Sequence, residues 1–136
     1  MQASGPSPTV LIVDRDVGFL FWLGEVFTKA GCRAIPALDC GQAVSLIRKL
    51  SVQLAAVIVN PELIEVAWMI KTLRRSNGQF KVVTISDDDP DVGSTIQTHV
   101  TLKRPRLGEL VSSEDWLNRA QEVLRVRNTF PGTGAA

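Results

Sequence analysis

Residues 9–16 read Thr9-Val10-Leu11-Ile12-Val13-Asp14-Arg15-Asp16, four branched apolar residues in a row that end abruptly in charge. A run that is apolar at every position predicts a strand buried on both faces, the situation of a parallel sheet covered by helices on each side. Moving outward, Ala55–Val59 and Val82–Ile85 repeat the pattern. Two weaker strands complete the set. Arg33–Ala37 contains Pro36, which cannot donate to a ladder and so belongs at a sheet edge, and Val100–Lys103 is short and stops before Pro105.

Helical spacing fills the intervals. Phe19, Leu23, Val26, Phe27 and Ala30 share one face, Gly31 follows as a C-terminal cap, and Phe21 falls on the opposite face. A second helix is predicted to open at Asp39 as N-cap, with Gln42 three residues on, and to bury Ala43, Leu46, Ile47 and Leu50. A third, about Glu62 to Arg75, is predicted to bury Leu63, Val66, Ala67, Ile70 and Leu73 and to turn Trp68 away from the core. Gly93, Ser94, Thr95 and Thr98 leave room for one or two turns of a fourth. A last helix is expected from near Ser113 to about Arg127. The expectation is one α/β domain over residues 9–128, a doubly wound five-stranded parallel sheet, between flexible ends at 1–8 and 129–136. Such folds place their sites at the C-terminal ends of the strands.

Composition narrows the function. A chain of 136 residues, 45% apolar and 21% charged, supports one core of ordinary size. A net charge of +1 offers no broad electrostatic footprint for nucleic acid or an anionic membrane. The longest apolar run, Leu54–Val59, is far too short to span a bilayer, and Met1–Thr9 lacks the cationic start and apolar core of a signal peptide. A cytoplasmic location with reduced Cys32 and Cys40 is therefore expected. His99 is the single histidine, so neither a Cys/His zinc site nor a Ser-His-Asp triad can be assembled. The acidic run Asp87-Asp88-Asp89 lacks EF-hand spacing and reads as a solvated loop. No cofactor is called for.

Val10–Asp14, Gly31, Ala43-Val44, Ser86 and the basic residue before Pro105, in this order, resemble the receiver domains of bacterial response regulators over residues 9–127. The resemblance implies strand order 2-1-3-4-5 and a pocket in which two adjacent acids and a third carboxylate bind Mg²⁺, the third accepting a phosphoryl group from a histidine kinase. Asp14 matches the first acid, but Arg15 stands at the second and Asn60 at the acceptor. A carboxamide cannot form the acyl phosphate. Ser86 matches the hydroxyl that contacts the phosphoryl group, Arg104 replaces a lysine, and Thr101 replaces the aromatic switch residue. Pro61-Glu62-Leu63 replaces the family's longer loop. The resemblance further implies a cis Arg104-Pro105 bond.

These departures suggest a degenerate receiver that binds signalling proteins, a histidine kinase or an output protein among them, independently of phosphorylation. Arg15 is expected to pair with Asp14 in the space of the metal. Phe21 and Trp68 are candidate contact residues on opposite faces. The alternative is a flavodoxin-like cofactor binder or small enzyme of the same topology. It calls for a Ser/Thr/Gly-rich phosphate loop after the first strand, whereas residues 15–19 read Arg-Asp-Val-Gly-Phe.

Overall fold

The structure, a computed structural model, describes residues 7–86 and 100–103, with Asn118 and Glu122 in helical backbone. The expected fourth helix, the Arg104-Pro105 bond, the rest of the last helix and the C-terminal tail lie outside the described residues. In chain order the elements are β1 (Thr9–Val13), α1 (Val17–Lys29), β2 (Arg33–Ala37), α2 (Cys40–Leu50), β3 (Leu54–Val59), α3 (Val66–Asn77), β4 (Lys81–Ser86) and β5 (Val100–Lys103). The strands form one parallel sheet in the order β2-β1-β3-β4-β5. Pro36 lies on the edge strand β2, where its missing N–H costs no ladder bond.

Strand periodicity divides the core in two. Val10, Ile12, Ala56, Ile58, Val83 and Ile85 face α1, where Phe19, Leu20, Leu23, Val26 and Phe27 meet them. Leu11, Val13, Val57, Val59 and Val82 face the other way, onto Ala43, Val44 and Ile47 of α2 and Val66, Met69, Ile70 and Leu73 of α3. Burying each large apolar side chain is worth about 1.5–3 kcal/mol, so both layers are needed to hold the central strands. Cys32 and Cys40 are buried free thiols. Among the described residues no helix is long and apolar enough to cross a membrane.

The helix starts follow local chemistry. Asp16 caps α1, its carboxylate accepting from Phe19 N–H at 3.1 Å. At α2, Asp39 Oδ1 accepts from Gln42 N–H at 2.7 Å, and Gln42 Oε1 reaches back to Leu38 N–H at 2.7 Å. Three expectations need correction. The third helix begins at Val66, because Glu65 adopts a left-handed conformation (φ 69°) that cannot continue a helix backwards to Glu62. Its buried stripe consequently runs Val66, Met69, Ile70, Leu73, which leaves Ala67 exposed. Leu50, the last residue of α2, is 48% exposed and not buried.

Candidate functional site

The C-terminal ends of β1 and β3 bring Asp14 and Asn60 together. Val13 and Val59 are register partners, so the two polar residues follow adjacent, hydrogen-bonded strands. Backbone bonds hold both in place: Asp14 N–H donates to Ala37 O at 3.1 Å and Asn60 N–H to Val13 O at 3.0 Å. Asp14 is fully buried, and its Oδ1 accepts from Asp16 N–H at 3.0 Å. Asn60 is half-buried, and its Oδ1 accepts from Glu62 N–H at 2.9 Å. This turn, tightened by Leu63 N–H donating to Asn60 O at 3.2 Å, is the local chemistry expected of Asn before Pro.

Arg15 goes elsewhere. It is exposed while Asp14 is buried, and an ion pair between the two is not found among the described residues. Successive residues leaving a strand point to opposite sides, so neighbours in sequence diverge at this position. The expected Arg15–Asp14 pairing is therefore corrected. Ser86 ends β4 and is the register partner of Lys103, and Thr101 pairs with Thr84. Arg104 lies outside the described residues, as does the acidic run 87–89.

The donor set does not fit Mg²⁺. A small hard cation takes anionic oxygens in near-octahedral array. Here Asp14 offers a carboxylate, Asn60 offers a neutral carboxamide whose oxygen already accepts from Glu62 N–H, and Arg15, exposed and directed elsewhere, offers no oxygen at all. Among the described residues no cluster of three His, Cys, Asp or Glu side chains could hold a metal ion. The N-terminus of α1 is equally poor for an anion, because the Asp16 carboxylate already caps it.

The exposed aromatics lie on separate surfaces. Phe21 on α1 is 63% exposed and Trp68 on α3 is 46% exposed, and the two helices cover opposite faces of the sheet. Sequence reasoning missed two residues that shape this end of the molecule. Asp16 could have been found as the cap from its place ahead of Phe19, whereas the left-handed Glu65 carries no sequence signal.

No family model and no curated relative matches the chain. Solved structures do, and those compared are receiver domains. The chemotaxis response regulator CheY4 of Vibrio cholerae superposes with a TM-score of 0.67 at 16% identity, covering 87% of this chain and 99% of its own. A response regulator from Thermotoga maritima gives 0.67 at 19% identity, with 88% and 98% covered. The receiver domain of the hybrid histidine kinase CckA gives 0.64 at 17%, with 86% and 99% covered. The fold is thus that of response-regulator receiver domains.

Proposed function

We propose that this chain is a receiver-type module of two-component signalling that works without aspartyl phosphorylation. It is a non-enzymatic protein–protein interaction domain of the cytoplasm. The observation that carries this reading is Asn60. It follows β3 beside Asp14, the place where the resemblance calls for the acceptor carboxylate, and its Oδ1 is tied to Glu62 N–H. The site, comprising Asp14, Arg15, Asn60, Ser86 and Arg104, is vestigial. Arg15 excludes the metal by replacing one of its ligands, not by filling its space.

Thr101 at the switch position has no ring to flip between buried and exposed states, which agrees with a surface presented constitutively. Contact is made through exposed aromatic surface, with Phe21 and Trp68 marking two candidate faces, because a large ring left in water recovers hydration free energy when a partner covers it. The partners are other signalling proteins, a histidine kinase or an output protein among them.

The test is capture of partner proteins from the source cells with immobilised full-length chain, with and without Mg²⁺ and beryllofluoride, a mimic of the aspartyl phosphate. Equal capture in both conditions is expected. Capture that depends on the mimic would overturn the reading.

A further inference from the structure

Asn77 is the last residue of α3 and Gly78 its C-cap. They form the single Asn-Gly pair of the chain. In such a pair the backbone nitrogen of the second residue reaches the asparagine carboxamide with least hindrance, since glycine has no side chain. The fold requires both residues. Gly78 has φ 73° and ψ −130°, a conformation that only glycine adopts cheaply. Asn77, only 5% exposed, fastens α3 to the start of β3: its Oδ1 accepts from Leu54 N–H and its backbone oxygen from Gln53 Nε2, both at 3.1 Å.

The same geometry restrains the reactive nitrogen. Gly78 N–H donates to Arg74 O at 3.0 Å, so the amide that would attack is held in the last turn of the helix. Arg74 is held in turn by Phe80, the guanidinium lying 5.3 Å from the ring centroid.

We propose that Asn77–Gly78 is a latent modification site: it deamidates when the last turn of α3 opens, and the conversion permanently releases the anchor of β3. In the reaction the Gly78 amide loses its proton to hydroxide and its nitrogen bonds to Asn77 Cγ. The Cγ–Nδ2 bond breaks and ammonia leaves with a proton from water. Water then opens the cyclic imide at either carbonyl, giving aspartate or isoaspartate, with no change in oxidation state. Isoaspartate adds a methylene to the main chain, so the bonds to Leu54 and Gln53 cannot both re-form. Aspartate brings a charge into a buried position and loses the Nδ2 donor that faces Ser76 Oγ at 3.3 Å. Either product loosens the strand that carries Asn60 at its far end. The site is independent of the signalling role.

The full chain is incubated at mildly alkaline pH in native buffer and in urea, and conversion at each asparagine is followed by peptide mass spectrometry. In urea, Asn77 is expected to convert while Asn60 does not, because Pro61 has no N–H to lose. In native buffer, conversion at Asn77 should be slower by about a hundredfold or more, the range set by local opening of a packed turn. Gln53→Ala should raise the native rate and leave the urea rate unchanged. Modified protein returned to native buffer should unfold at a lower urea midpoint. A native rate within a few-fold of the urea rate, no conversion at Asn77 in urea, an unmoved rate in Gln53→Ala or an unmoved midpoint would each overturn the proposal.

Discussion

Asn60 and Val13 are joined across β3 and β1 by a 3.0 Å bond from the Asn60 N–H to the Val13 carbonyl oxygen. That bond continues the sheet ladder one step past its last register pair, Val13 and Val59, so Asn60 and the buried Asp14 leave neighbouring strands at the same level. The ends of β1 and β3 are therefore held in register, and a carboxamide, not a carboxylate, follows β3.

Supplying the carboxylates that the resemblance calls for should create a metal site. Arg15→Asp combined with Asn60→Asp adds both. Asp at 60 can still accept from Glu62 N–H, but the added charges repel the buried Asp14, so the variant should be less stable without metal and regain stability with Mg²⁺. The double variant is expected to show a saturable, Mg²⁺-dependent change in tryptophan fluorescence that the unaltered chain lacks.

Binding and stability should separate at the exposed aromatics. Phe21→Ala and Trp68→Ala remove rings that are only partly covered and should cost about 1 kcal/mol at Phe21 and about 2 kcal/mol at Trp68, which is just over half buried, less than the loss of a core ring. At least one should weaken a native complex by about 1–2 kcal/mol, read as a loss in affinity. If both variants leave the complex intact, binding does not use these surfaces.

The Asp39–Gln42 arrangement is a stability element remote from the site. Asp39→Ala removes the 2.7 Å acceptor for Gln42 N–H and should cost about 1 kcal/mol, seen as a thermal midpoint lowered by a few degrees.

Cys40 gives the fold a defined alkaline sensitivity. Burial, with Asp39 and Glu65 nearby, pushes its thiol up to about 11 from 9.0. The folded state thus holds the proton more tightly than the unfolded state. Stability is full below the unfolded value near 9 and falls as pH rises from there to about 11. Lys81, whose burial lowers its pKa, acts in the opposite sense, so the comparison with Cys40→Ala isolates the thiol. Urea midpoints measured from pH 8 to pH 11 should decline less steeply in Cys40→Ala.

The sheet was legible in the sequence because both-face burial makes each central strand apolar at every position, and Pro36 marked the edge. The bounds of β2 and β5 coincide with the runs Arg33–Ala37 and Val100–Lys103. α3 was harder to read. Leu63 and Val66 are spaced as one helical face, and Leu63 does pack against the core, but from a turn. A helical Leu63 would bring Ala67 into the stripe and leave Met69 out of it. Side-chain directions at the site were also not legible. Arg15 and Asp14 are neighbours in sequence with opposite charge, yet the strand pleat sends one to solvent and the other inward. The residue identities that distinguish this pocket, Arg15 and Asn60, were readable, since they depend on position after a strand and not on rotamer.

The most direct measurement is the intact mass of the purified full-length chain after incubation with Mg²⁺ and a small phosphodonor such as acetyl phosphate, beside the Arg15→Asp, Asn60→Asp variant. The unaltered chain is expected to remain at its unmodified mass while the variant gains a phosphoryl group that hydroxylamine removes. A hydroxylamine-sensitive phosphoryl adduct on the unaltered chain would contradict phosphorylation-independent signalling.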